Sequence, residues 1–99
     1  MKKLTPTEIM VGPNYPNPFN PVTVIPVTLP EALDVRIVIY DILGRQVKLL
    51  YDGPLAEGRH WLRWDGQNDR LDQVSSGIYL YRAILGNRMK IQGKMVIIR

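Results

Sequence analysis

The residues that could do chemistry are few and fall in two short stretches. Asp65, Asn68, Asp69 and Asp72 gather oxygen donors within eight residues, behind Trp64 and Gly66. A hard cation such as Ca²⁺ takes six to eight such oxygens. The spacing is not that of an EF-hand loop, which needs a Glu at its twelfth position. Asp and Asn side chains that satisfy backbone N–H groups in a turn explain the same composition, and that is the preferred reading. The second stretch is Arg59-His60-Trp61-Leu62-Arg63-Trp64. In a strand it alternates, with His60, Leu62 and Trp64 on one side and Arg59, Trp61 and Arg63 on the other. Core-facing Trp64 makes Trp61 an outward indole between two guanidiniums. Arg59, Trp61 and Arg63 could stack on a sugar ring or anchor a partner protein. The simpler reading is a Trp covered by its own arginines.

Catalytic groups find no partners. His60 is the single histidine, and no second catalytic group stands at motif distance. A core-facing His60 bonded to backbone is expected. Ser75 and Ser76 lack a nucleophile-elbow context. No carboxylate pair can be argued into glycosidase geometry. The chain has no Cys, which excludes disulfide scaffolds, thiol nucleophiles and Cys-ligated metals. The reading is a module that is not an enzyme and has no cofactor, calcium at Asp65, Asn68, Asp69 and Asp72 aside.

The elements around these residues follow from composition. At 99 residues and 45% hydrophobic, the chain suffices for one domain with a real core. Eight Pro and eight Gly oppose long helices. No apolar run reaches the roughly 20 residues of a membrane span. The net charge of +4 comes from Lys and Arg scattered singly apart from Lys2-Lys3, not clustered as nucleic-acid binding requires. Met1-Lys2-Lys3 is followed by Thr5-Pro6-Thr7-Glu8, where a signal peptide would be apolar. An exported protein would then carry this chain as part of a longer precursor.

Residues 1–12 read as a lead-in or linker and 13–99 as the folded unit. Pro13 to Pro21 holds four prolines in nine residues, a stiff extended strap with Tyr15 and Phe19 as its anchors. Strands are predicted at 22–29, 35–40, 46–51, 59–64, 78–85 and from about 89 to 99. Pro26 marks the first as an edge or bulged strand. Asp52-Gly53-Pro54 and Ala56-Glu57-Gly58 bracket a connection, and Gly86-Asn87 makes a hairpin turn. Ile78, Tyr79, Leu80 and Tyr81 make both faces of one strand apolar, as in a central strand with a partly covered outer face, or a docking surface. Six or seven short strands without a helix indicate a β-sandwich or small barrel. The predicted core includes Ile25, Ile37, Ile39, Leu62, Trp64, Tyr79 and Met95.

A series of motifs runs through the chain in order: Asn14-Tyr15-Pro16-Asn17-Pro18-Phe19-Asn20-Pro21, Leu29-Pro30-Glu31, Tyr40-Asp41-Ile42-Leu43-Gly44-Arg45, Gly58-Arg59-His60, Trp64-Asp65-Gly66, Ser76-Gly77-Ile78-Tyr79-Leu80-Tyr81-Arg82 and Lys94-Met95-Val96-Ile97-Ile98-Arg99. Over residues 14–99 the series resembles the C-terminal sorting domain of the type IX secretion system. It is also similar to the immunoglobulin-like domain of flagellar hook-capping proteins. The resemblance implies an all-β, immunoglobulin-like sandwich of about seven antiparallel strands. It implies a module that ends a longer secreted protein and is read by the outer-membrane secretion and attachment machinery. The cargo would be fused on its N-terminal side. The precursor would pass through the periplasm to the cell surface or beyond. A carbohydrate-binding module appended to a polysaccharide hydrolase, and a structural assembly domain, are the alternatives.

Within that reading, residues 94–99 form the expected recognition element. A terminal strand at a sheet edge would offer unpaired N–H and C=O groups to a receptor strand. Lys94 and Arg99 would set its register against an acidic surface, and Met95, Val96, Ile97 and Ile98 would supply area. Alternatively, the strand simply completes the sandwich.

Overall fold

Alternation of apolar residues fixes which faces turn inward, and the structure pairs those faces. The computed structural model describes residues 8–87 and 89–98. They form seven strands: β1 (Met10–Val11), β2 (Thr23–Leu29), β3 (Leu33–Asp41), β4 (Gln46–Leu55), β5 (Gly58–Trp64), β6 (Gly77–Leu85) and β7 (Met89–Ile97). One sheet has the order β1-β2-β5 and the other β4-β3-β6-β7, all neighbours antiparallel. This is an all-β immunoglobulin-like sandwich, not a barrel. Ile25, Val27 and Leu29 of β2 face Val35, Ile37 and Ile39 of β3, with Tyr79, Tyr81, Ala83 and Leu85 of β6 beside them. Met95 and Ile97 close the core on the β7 side.

Trp64 sits at the centre of an aromatic cluster. Its ring centroid lies 5.5 Å from Phe19, tilted, and 5.7 Å from Tyr79, edge to face. Burial of such rings requires that their polar tips be satisfied. The indole N–H donates to Gln67 O at 2.9 Å and the Tyr79 hydroxyl to Ser75 O at 2.7 Å. Both acceptors lie in the loop between β5 and β6, so the core anchors that loop.

Four expectations need correction. Pro26 lies in the middle strand of its sheet, not on an edge. Its carbonyl accepts from Gly12 N, and a strand residue points its N and O to the same side. The missing N–H therefore faces Gly12, where the β1 pairing ends, so the sheet forgoes only the return bond to Gly12 and the ladder to β5 stays intact. The Asp52-Gly53-Pro54 segment continues β4 instead of ending it, because β4 is an outer strand that tolerates Pro. Two register shifts against β3 absorb its extra residues. Leu62 is only half-buried, since β5 forms the margin of its sheet. Tyr15 does not anchor the strap through its ring, which is 79% exposed. Its backbone does so, exchanging two hydrogen bonds with Val24 at 2.8 and 2.9 Å.

The other core assignments, Ile25, Ile37, Ile39, Trp64, Tyr79 and Met95, are buried. Part of the lead-in, residues 1–7, lies outside the described residues. Replacing Trp64 with Ala empties the aromatic cluster and removes the loop's anchor. It should cost about 3–5 kcal/mol, read as a lowered midpoint in urea unfolding.

Candidate functional site

The terminal strand is where a recognition element was expected, and the structure divides it in two. β7 is an outer strand of the four-stranded sheet. Its side chains alternate: Met95 and Ile97 are buried, whereas Lys90, Gln92 and Lys94 are exposed and Val96 is half-buried on the outer face. Ile98, just past the strand, is exposed. Arg99 lies outside the described residues. Only Lys94, Val96 and Ile98 of the six expected recognition residues therefore present described side chains outward. Met95 and Ile97 belong to the core.

The backbone edge from 94 to 98 is not open, which overturns the expected strand addition there. The strap lies along it. Phe19 N donates to Val96 O at 2.9 Å and Ile98 N donates to Phe19 O at 3.0 Å, a parallel bridge to Ile97. Two residues earlier, the Asn17 side chain substitutes for a strand backbone. Its Oδ1 accepts from Val96 N at 2.9 Å and its Nδ2 donates to Lys94 O at 3.2 Å. The physical reason is the prolines: Pro16, Pro18 and Pro21 have no N–H, so the strap cannot offer a continuous ladder. The Asn17 side chain supplies the missing donor and acceptor. Asn14 ties the strap to β2 in a different way, its Nδ2 donating to Thr23 Oγ1 at 3.0 Å in the buried interior.

Asn17 was not singled out from sequence. The available signal was the alternation of Asn and Pro at 14, 16, 17, 18, 20 and 21. Gly93 also escaped notice. A Cβ there would collide with the Tyr81 ring, which passes directly beneath it.

The outer face around β7 is basic and apolar in register. Leu80 of β6 is flanked by Tyr40 of β3 and Lys94 of β7, and Ile78 of β6 lies beside Val96. Arg82 pairs with Gln92 across the strands and places its guanidinium 5.5 Å from the Tyr40 ring centroid. Ile78, Tyr79, Leu80 and Tyr81 thus lie on a central strand: the two tyrosines fill the core, and Ile78 remains exposed outside.

The acidic loop behaves as turn chemistry. Asp65 Oδ1 accepts from Gln67 N at 3.1 Å, and Asn68 Oδ1 accepts from Arg70 N and Asp72 N at 2.9 and 3.0 Å. Asp69 reaches across to β4. Its Oδ1 accepts from Leu49 N at 2.9 Å, its Oδ2 accepts from Gln46 Nε2, and its own N–H donates to Val47 O. Those bonds hold the Asp69 carboxyl below the usual aspartate range, the Leu49 N–H contributing most. Among the described residues no three carboxylates or imidazoles converge as a metal site would require.

At one end of the sandwich, a cleft of about 640 Å³ runs between the β3–β4 turn and residues 74–79. Its single carboxylate is Asp41, which pairs with Arg45 Nε at 2.8 Å. Asp41 Oδ1 also accepts from Leu43 N and Arg45 N, and its pKa is lowered by these bonds, the Arg45 N–H first. Ser75 and Ser76 line the cleft without a histidine. His60 is half-buried on β5, its Nε2 2.7 Å from Ala56 O.

Arg59, Trp61 and Arg63 stand exposed together on the outer face of the other sheet.

Comparison with known proteins adds three findings. Residues 14–98 match the family described as the secretion system C-terminal sorting domain. Among solved structures, dimeric latent PorU from Porphyromonas gingivalis is similar, with a TM-score of 0.67 and 20% identity. It covers 91% of this chain and 9% of that one. PorZ, a surface component of the type IX secretion system of the same organism, gives a TM-score of 0.55 and 19% identity over 92% of this chain and 11% of that one. This chain thus spans about a tenth of either neighbour, and at these identities the likeness is one of fold. Among curated proteins no sequence matches.

Two outcomes follow from the geometry. Asn17→Ala removes two exposed hydrogen bonds and should cost about 1–2 kcal/mol, with faster hydrogen exchange at the Val96 amide. The Asp41 carboxyl is ionised at neutral pH, and its folded pKa is depressed. Its hold on the β3–β4 turn is therefore complete above the ordinary aspartate pKa and lost as pH falls through the lowered value. Protection factors at the Leu43 and Arg45 amides, each rate taken relative to the intrinsic exchange rate at that pH, should fall over that acid window, and in Asp41→Asn they should no longer change with pH there.

Proposed function

The chain belongs to the family of secretion-system C-terminal sorting domains, and from that premise we propose how it acts. It is the address on a longer secreted protein, with the cargo joined on its N-terminal side. The type IX machinery at the outer membrane reads it, after passage of the precursor through the periplasm, and the protein reaches the cell surface or the exterior. The domain itself performs no catalysis; it binds the secretion and attachment machinery. The observation that carries this reading is the family match along residues 14–98, which runs through every strand from β2 to β7.

The covered edge of β7 supports a narrower reading of the recognition surface. Because the strap occupies the backbone edge at 94–98, recognition of the terminal strand operates through outward side chains. Lys90, Lys94 and Val96 of β7 form, with Arg82 and Leu80 of β6, a basic and apolar surface on the rigid four-stranded sheet. Such a surface suits an acidic receptor, where charge sets orientation and apolar side chains supply contact. Reversing exposed charges away from the core changes stability by only about 0.5 kcal/mol.

A fluorescent reporter fused ahead of the domain, in a host with the type IX system, tests both statements. The reporter with the domain should reach the cell surface, and the reporter alone should stay inside. Lys90→Glu with Lys94→Glu should fold normally and lose most surface signal. Undiminished export of the folded double variant would show that this face is not what the machinery reads.

A further inference from the structure

The opposite face of the sandwich carries a second surface, with a different composition. On the three-stranded sheet, cross-strand pairing sets out rows of outward residues: Met10, Thr28 and Arg59; Pro26 and Trp61; Tyr15, Val24 and Arg63. Trp61 is 67% exposed and Tyr15 79% exposed. Strand alternation explains the first. The second arises because Tyr15 is held by backbone bonds to Val24, which leave its ring free. The paired rows contain two arginines and no carboxylate. The side chains of Arg59, Arg63 and Trp61 make no hydrogen bond or ion pair among the described residues.

The dimensions favour a narrow ligand. Three strands about 4.8 Å apart, over four residues' rise, give a platform of roughly 200 Å². A stable protein partner covers about 800 Å² on each side. The platform therefore fits a single extended polymer better than a globular protein. Tyr15 and Trp61 are two strand spacings and two residues apart, a diagonal of about 12 Å. Two aromatic rings so placed on a flat sheet can stack on separate rings of one sugar chain. An arginine lies two residues either side of Trp61, so each guanidinium can pair with an acidic group on that chain.

We propose that this face is a binding platform for an acidic polysaccharide. Trp61 and Tyr15 stack on sugar rings, and Arg59 and Arg63 pair with the polymer's carboxylates or sulfates. The platform is on the sheet opposite the surface assigned to sorting, and the two operate independently.

Affinity electrophoresis of the full chain tests the proposal, with polygalacturonate, alginate or hyaluronate cast in the gel, and dextran as the neutral control. Retardation is expected with at least one acidic polymer and not with dextran. Trp61→Ala, and separately Arg59→Gln with Arg63→Gln, should each weaken binding about tenfold. Tyr15→Ala should weaken it by a smaller factor. Lys90→Gln with Lys94→Gln, on the far sheet, should leave binding within about twofold. These exposed variants should keep the parent's melting temperature. Failure to bind all three acidic polymers overturns the proposal. So does binding that survives Trp61→Ala, which would reflect charge alone, or binding lost equally in the far-sheet variant. A protein captured through this face without polysaccharide binding also overturns it.

Discussion

Phe19 packs its ring against Trp64 while its backbone closes the edge of β7, and the rest of the architecture hangs on that double contact. The ring is 2% exposed and lies between the two sheets, 5.5 Å from Trp64, the last residue of β5. The same residue's N–H and C=O bind Val96 and Ile98. Four residues earlier the strap pairs with β2 through Tyr15. A single proline-rich segment thus joins the first sheet, the aromatic core and the last strand. Proline makes this economical, because a chain whose φ is already fixed loses less freedom on ordering. Asn17 supplies the hydrogen bonds to β7 that the prolines cannot, and Asn14 ties the strap to Thr23.

Sheet edges show the same management. A sandwich built from two open sheets exposes strand edges that invite unwanted pairing. Here the β7 edge is covered by Phe19 and Asn17, and the β4 edge around Val47–Leu49 by Asp69. Each cover combines the backbone of a single residue with side-chain groups instead of a further strand, so it ends pairing instead of propagating it. Where an edge is covered, contact with any other chain is left to side chains on the sheet faces.

The two outer faces differ in the way that such a division predicts. The four-stranded face mixes Lys and Arg with aliphatic side chains on long, firmly paired strands. The three-stranded face replaces lysine with arginine and adds Trp61 and Tyr15. Lysine is a hydrated point charge, whereas arginine offers a planar fork that pairs with carboxylates and stacks.

The fold class was legible in the sequence because strand alternation reports burial directly. Val35, Ile37 and Ile39, and Leu62 with Trp64, repeat with period two, and turn residues bound each run. The same alternation placed Trp61, Arg59 and Arg63 outward, and the motif order from Asn14 to Arg99 carried the family. Local patterns could not reveal which strands lie beside one another. Pro26 looks like an edge residue until Gly12 and the break at Pro13 are placed beside it. Residues 94–98 look like an open edge until the strap, nearly eighty residues earlier in the chain, is laid along them. Tyr15 and Phe19 look equivalent, yet only Phe19 reaches the core. Sequence by itself determined six of the seven strands, their buried sides and the family; β1, within the expected lead-in, and the length of β4 were not legible. Tertiary structure decided which backbone groups remain free, because that depends on partners distant along the chain, and pairing across such distances leaves no periodic trace in either segment.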